Sequence, residues 1–272
     1  MRRHRSALAR HALLIVGAAF VVLPFLWMFT TSLQTRAETY SNSSIFPTSW
    51  HWENYAVAWE AAPFGQYYLN SLIMAAGIVS GHLVLDAFAA YAFARLRFPF
   101  RDVLFFVLLA ALMVPTFVTI IPAYSLVASF GWIDTYWGLI VPRLADVFGI
   151  ILLRQFFTSI PLELEEAARI DGSSRIGIFF RIIVPLSLPA FATLGIFSFL
   201  FAWNDFLWPL LVTNSDELRT IQIGLSAFQG RYNTSWNYLM AGTLTATVPS
   251  IIVFMFFQRA LVRGIAASGL KD

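Results

Sequence analysis

Five stretches of this chain run without a single Asp, Glu, Lys or Arg: 12–35, 61–85, 103–133, 182–204 and 232–258. A helix rises ~1.5 Å per residue, so about 20 mainly apolar residues cross a hydrocarbon core of ~30 Å. Each stretch exceeds that length, and no soluble fold needs so many. Composition agrees: 58% of the 272 residues are hydrophobic and 12% charged, against about 45–50% and about 25% in soluble chains. A sixth candidate, about 137–158, is interrupted by Arg143, Asp146 and Arg154. The expected fold class is all-α, a polytopic membrane protein.

Charge placement decides whether the interrupted stretch counts, because Lys and Arg accumulate in cytoplasmic loops. With six spans and the amino terminus inside, fourteen of the 18 basic residues fall on the inner side. They include Arg2, Arg3, Arg5 and Arg10, then Arg95, Arg97 and Arg101. Arg154, Arg169, Arg175 and Arg181 follow, and the tail adds Arg259, Arg263 and Lys271. Outside lie Arg36, Arg219 and Arg231. Dropping the interrupted span divides the basic residues evenly between the two sides. Six transmembrane helices are therefore expected, at about 12–33, 68–94, 103–125, 137–158, 187–212 and 238–258, forming one domain over 12–258. Residues 1–11 and 259–272 become cytoplasmic tails.

The first apolar run is longer than the ~7–15 residues of a signal peptide core, and Thr31-Ser32-Leu33-Gln34 is a poor cleavage site, so it reads as an uncleaved anchor. The outer loop, about 34–67, and the start of the next span carry Trp50, Trp52, Tyr55, Trp59, Tyr67 and Tyr68. These fit an interfacial aromatic belt, or a docking surface or sugar-stacking platform. Pro115, Pro122 and Pro249 lie inside spans, where freed carbonyls need other partners. The absence of Cys excludes disulfides, thiolate zinc sites, iron–sulfur clusters and a cysteine nucleophile. His4, His11, His51 and His82 are scattered without ligand spacing, so no metal site is expected. The net charge of +3 follows the membrane topology, which argues against a nucleic-acid partner.

The loop at 159–186 is the most informative segment. Pro161 suits a first helical position, Glu163 and Glu165 lie near the positive dipole end, and Gly172 stands where a left-handed cap is wanted. Ile160, Leu164, Ala167 and Ala168 share one small apolar face. The segment is too short and too charged to cross a bilayer. It is either a surface helix packed on its own bundle or a knob for a cytoplasmic partner. A second helical stretch, about 174–184, leads to Pro185 and the fifth span.

Glu166-Ala167-Ala168, three residues, Gly172, nine residues, Ile182 and Pro185 resemble the EAA loop of ATP-binding-cassette importer permeases, with Val184 where Leu is usual. Further stretches resemble the carbohydrate-uptake group, in particular the maltose-type second permease subunit family. They are Asn70-Ser71, Ala90-Tyr91-Ala92-Phe93-Ala94-Arg95, Met113-Val114-Pro115, Phe201-Ala202-Trp203-Asn204-Asp205 and Trp208-Pro209-Leu210. The ending Ala267-Ser268-Gly269-Leu270-Lys271-Asp272 resembles that group's tail, with Asp272 in place of the usual Gly.

This resemblance implies a multi-pass subunit of the bacterial cytoplasmic membrane, with both termini cytoplasmic and a coupling helix between spans four and five. The implied partners are a second permease subunit, two ATPase subunits and an extracytoplasmic solute-binding protein, with a sugar-like solute moving inward. Glu165, Glu166, Ala167, Ala168, Arg169, Asp171 and Gly172 would couple to an ATPase subunit, and Gly264, Ser268, Gly269 and Lys271 of the tail would touch the ATPases. The chain lacks a Gly-x-x-x-x-Gly-Lys-Ser/Thr loop, so ATP and Mg are expected on the partner ATPase. This subunit itself is expected to carry no cofactor and not to be an enzyme.

Polar groups inside spans are costly and usually face a cavity or one another. The candidates for a translocation path are Arg143, Asp146, Trp203, Asn204 and Asp205, with Asp86 in span two. Arg143 and Asp146 stand at i, i+3 and suit an internal ion pair or a substrate contact. Trp203 and Asn204 suit stacking on a sugar ring and reading its hydroxyls, or bundle packing. An ion-coupled carrier acting alone is the alternative, with Asp86 as its essential carboxylate.

Overall fold

A computed structural model of the chain describes residues 2–41, 44–230 and 234–269, with side chains over 10–41, 44–230 and 234–258. Among the described residues, β structure amounts to one antiparallel bridge between Gln229 and Thr234. Helices follow in chain order, joined by turns and irregular segments. They begin with α1 (Arg2–Ser32), α2 (Arg36–Ser41), α3 (Glu53–Glu60), α4 (Phe64–Gly81) and α5 (Ala87–Arg95). The series continues with α6 (Arg101–Ala111), α7 (Thr116–Ser129), α8 (Tyr136–Ile140), α9 (Val147–Ser159) and α10 (Leu162–Ile170). It ends with α11 (Arg175–Ile178), α12 (Val184–Leu186), α13 (Leu188–Trp203), α14 (Leu207–Val212), α15 (Ile221–Ser226) and α16 (Trp236–Gly269). Wide turns at His82–Asp86 and Phe179–Ile183 join α4 to α5 and α11 to α12.

Among the described residues, three helical segments are long and apolar enough to cross a membrane: Arg10–Ser32, Phe64–Arg95 and Trp236–Gln258. Three bent pairs bring the number up to six if each pair is one span. The pair α6 and α7 turns by 101°, Tyr136–Arg143 and α9 by 41°, and Arg175–Leu186 and α13 by 78°. Sequence chemistry accounts for the first break. Pro115 is extended, at φ −60° and ψ 132°, and cannot donate to the preceding turn. The 103–125 stretch, expected as one transmembrane helix, is thus two helices around a corner.

The chain divides into two compact units. The first holds residues 1–65 and 224–248. Here Asn54, buried, donates to the carbonyls of Ser32 and Gln34, both at 2.9 Å, stitching α3 to the end of α1. Ser32 and Tyr55 share a 2.8 Å hydroxyl contact. Phe64 stacks on Phe228 at 5.7 Å. Phe29, Trp50, Trp52 and Tyr55 form a run of ring contacts at 6.1–6.5 Å. The α1 side chains from Leu13 to Trp27 stand largely exposed, as lipid-facing residues do.

The second unit holds residues 66–223 and 249–272. Its core packs Ala87, Ala90 and Tyr91 of α5 against Ile150, Leu153 and Phe157 of α9, joined by Ala168 of α10, Ile178, Phe179 and Leu194. Lipid is as apolar as Leu, so close packing rather than escape from water draws membrane helices together, and small residues permit it. Ala87 and Ala90 serve that purpose. A second cluster gathers Met74, Ala75, Ile78, Val127, Leu139, Ala202, Trp208 and Val212. Next to it, Asp134 accepts from the amides of Asn214 and Ser215, at 2.9 and 3.1 Å. Burial pushes the Asp134 carboxyl up, but those amides outweigh it and hold it below its ordinary range.

Candidate functional site

Two places in the second unit gather the residues singled out above. The first is α10. Ser173 donates to the carbonyl of Ala168 (2.9 Å) and Gly172 to that of Arg169 (3.0 Å), with Gly172 at φ +83°. That pair of bonds is a Schellman cap, which satisfies the last carbonyls and needs a left-handed residue. Ser174 then starts α11 by accepting from the Gly177 amide at 3.1 Å.

The faces of α10 differ from expectation. Ala168 is buried in the core, and so is Glu165, whose carboxylate lies 2.7 Å from Arg95 Nε. Ala167 faces out, Leu164 is half-exposed and Ile170 is 87% exposed. Leu164 and Ala167 therefore stay outside the core that takes Ala168; the buried residues of α10 are 165 and 168, one turn apart. Glu165, expected among the outward carboxylates, points inward because Arg95 attracts it there. Glu166, Arg169, Asp171 and Gly172 remain exposed. Among the tail residues, Gly264, Ser268 and Gly269 belong to the part of α16 whose side chains lie outside the described residues, and Lys271 lies outside them altogether.

The second place is the break before α9. After α8 the chain makes a short 3₁₀ turn, and Asp146 is extended, at φ −134° and ψ 133°. The i, i+3 relation between Arg143 and Asp146 needs a continuous helix, and the break removes it. Arg143 pairs instead with Asp205, at 3.1 Å, and its guanidinium lies 5.1 Å from the Phe201 ring and 5.7 Å from that of Trp208. Asp146 donates its amide to Asp86 Oδ1 at 3.0 Å. Arg154, the third interrupting charge, sits 4.0 Å over the Phe105 ring.

His82 links these elements. The Arg143 carbonyl can only accept, so His82 Nε2 carries the hydrogen and donates to it at 2.9 Å. With the ring neutral, Nδ1 accepts from the Ser198 hydroxyl at 2.7 Å. A cavity of about 270 Å³ opens beside them, lined among others by His82, Thr116, Thr119, Arg143, Asp146, Phe201 and Trp208.

Of the expected path residues, Arg143 and Asp146 line this cavity and Asp205 holds Arg143 from behind. Trp203 does not line it: it is 1% exposed, stacked on Phe199 at 5.6 Å and edge-on to Tyr68 at 5.8 Å. Its faces meet protein, so the sugar-stacking expectation for Trp203 gives way to packing. Asn204 is exposed but donates to the Leu200 carbonyl at 2.8 Å, closing α13. Sequence reasoning passed over His82, which metal-ligand spacing did not favour. The stronger signal was a His inside an apolar span, costly unless hydrogen-bonded.

Residues 84–267 match the family described as binding-protein-dependent transport system inner membrane components. The chain belongs to that family. It is 37% identical to the probable ABC transporter permease protein YurM of Bacillus subtilis, over 92% of this chain and 84% of that one. It is 35% identical to the sn-glycerol-3-phosphate transport system permease protein UgpE of Pectobacterium atrosepticum, over 95% of both chains. Identity to the diacetylchitobiose uptake system permease protein NgcG of Streptomyces coelicolor is 34%, over 96% of this chain and 88% of that one. The fold is that of a chain in a bacterial ABC transporter involved in alginate import, with a TM-score of 0.83 at 22% identity, over 95% and 97% of the two chains. The chain is thus an inner-membrane permease subunit of an ABC importer, and the reading as an ion-coupled carrier acting alone is set aside.

Proposed function

We propose that this permease subunit carries a sugar or related polyhydroxylated solute inward, with α10 as the helix that receives force from a cytoplasmic ATPase subunit. The observation that carries the coupling assignment is the outward face of α10. It presents apolar Leu164, Ala167 and Ile170 beside charged Glu166, Arg169 and Asp171, immediately before the Gly172 cap. An exposed apolar row ringed by charge is costly in water and suits a cleft in a partner. Glu166 would make the charged contact, Ala167 the close approach, and Gly172 the turn; Ala168 and Glu165 hold the helix to its own bundle. The tail at Gly264, Ser268, Gly269 and Lys271 would add a second ATPase contact.

The proposed assembly has this chain and a second permease subunit, two ATPase subunits holding ATP and Mg, and an external binding protein. With six spans and both termini cytoplasmic, α10 would lie on the ATPase side. Closure of the ATPases can shift the bundle only if α10 docks more favourably in one state than the other. The cavity supports a solute rich in hydroxyls: Thr116, Thr119 and His82 offer polar groups, while Asp205 offsets the charge of Arg143. Two relatives act on solutes named as sn-glycerol-3-phosphate and diacetylchitobiose, both hydroxyl-bearing.

The test is uptake by the reconstituted four-subunit complex with its binding protein. Glu166→Lys and Gly172→Pro should each reduce ATP-driven uptake while membrane insertion stays intact. Normal uptake with both substitutions would remove the coupling assignment.

A further inference from the structure

Arg95 occupies a position that the EAA motif does not include. It is the last residue of α5, and its side chain is 8% exposed. Its Nη2 donates to the carbonyl of Phe157 at 2.7 Å and to that of Ile160. These acceptors belong to the final turn of α9 and the residue after it, where the dipole favours a cation; the Phe157 carbonyl also accepts from the Ile160 amide at 3.2 Å. Its Nε lies 2.7 Å from the carboxylate of Glu165, which is 0% exposed, in the first half of α10. One guanidinium, carried by α5, therefore touches both the end of α9 and α10.

The covalent link alone would not make α10 follow α9. Ile160 and Pro161 between them are both extended, at ψ 131° and 133°, so the connection is a two-residue hinge. Buried Ala168 gives α10 a small apolar foothold, and the Arg95–Glu165 charge pair supplies the electrostatic one. A buried charge pair is weak evidence of net stability but strong evidence of register, because each partner is costly without the other. Arg suits this task where Lys does not: its planar fork addresses several acceptors at fixed angles, whereas an ammonium is a point charge on a flexible stem.

We propose that the Arg95–Glu165 pair is the joint that makes α10 move as one body with α5 and α9, so that Arg95 is a positioning residue for coupling between ATP hydrolysis and transport. The proposal rests on the reading of α10 as the helix that meets the ATPase. Arg95 does not touch the solute or the ATPase. It fixes the angle at which a push on α10 reaches the membrane helices.

The experiment compares wild type, Arg95→Lys and Glu165→Gln in the complete importer in proteoliposomes, reading assembly, binding-protein-stimulated ATP hydrolysis, and solute taken up per ATP. Spin labels at Glu163→Cys and Arg97→Cys report the distance between α10 and the end of α5. Both variants should assemble and hydrolyse ATP, with uptake per ATP lowered by about tenfold, within the range of ordinary coupling effects, and a broadened distance distribution. Unchanged uptake per ATP and an unchanged distribution would overturn the proposal. So would failure of both variants to assemble, which would make the pair a folding determinant instead. If Glu166→Lys and Gly172→Pro leave ATP-driven uptake normal, the α10 reading itself fails and takes the joint with it, a result read without any substitution at Arg95 or Glu165.

Discussion

Arg143 and Asp205 meet at 3.1 Å across two interrupted helices, the guanidinium from the break before α9 and the carboxylate from the gap between α13 and α14. Their side chains are 18% and 11% exposed. Breaking such a pair leaves one buried charge uncompensated, typically at a cost of about 3–5 kcal/mol, whereas replacing both partners with apolar residues of similar size is often neutral. Arg143→Met or Asp205→Leu alone should therefore lower the thermal midpoint of the detergent-purified complex. The double variant should recover most of that loss. Because Arg143 lines the cavity, uptake should stay low in the double variant; full recovery of uptake would exclude Arg143 from the solute path.

A different kind of sensitivity is expected at the break itself. A Cβ on Gly149 would lie 2.1 Å from Asp86 Oδ2 and 3.0 Å from Leu194 Cδ1. Gly149→Ala forces α9 away from the wide turn that carries Asp86, at about 1–3 kcal/mol for overpacking. Gly195, one helix away, has nothing within 4 Å of its Cβ position. Gly195→Ala should be neutral or stabilising by roughly 0.5–1 kcal/mol, since Ala is the better helix former. Thermal unfolding of the two variants side by side checks the contrast, and equal midpoints would contradict the close approach at Gly149.

These two sites mark the limit of what the amino-acid order discloses. Uncharged length was enough to locate the three long apolar helices, and the Gly172 cap was readable from a single glycine after a charged amphipathic stretch. The partner of Arg143 was not readable, because i, i+3 logic assumes an unbroken helix and the chain leaves helical geometry at 144–146. Glu165 misled for a related reason: helical spacing tells which residues share a face, but not which face a remote arginine will claim. Trp203 looked like a sugar platform by residue type alone, while burial by Phe199 and Tyr68 depends on contacts that no local pattern encodes.

Glu38 gives the loop after α1 a defined acid response. Its carboxylate accepts from the amide and hydroxyl of Thr35, at 2.7 and 3.0 Å, and from the amide of Thr48 at 2.9 Å, with the Thr48 hydroxyl as a further donor. Hydrogen bonding, led by the Thr48 hydroxyl, lowers its pKa from 4.5 to about 2. A depressed carboxyl pKa contributes stability that is complete above the unfolded value and disappears as pH falls through the folded one. The contribution from this nearly solvated group is small. Amide exchange at Thr35 and Thr48 should be protected equally at pH 6 and pH 8, and should rise, relative to intrinsic rates, between pH about 4.5 and about 2. Glu38→Gln should remove that acid step, and its persistence would assign the response to another group.

Gly172 allows the α10 cap to be tested by backbone conformation alone. It holds φ +83°, and a Cβ there would meet nothing within 4 Å, so the cost of a side chain is purely conformational. Asn visits the left-handed region more readily than Ala, for which the penalty is roughly 1–2 kcal/mol. Proline cannot reach that φ and also removes the amide that bonds to Arg169. ATP-driven uptake should accordingly fall in the order Gly, Asn, Ala, Pro, with Asn close to wild type and Pro close to background. If Ala exceeded Asn, size or polarity at the ATPase contact would govern the position rather than the left-handed turn.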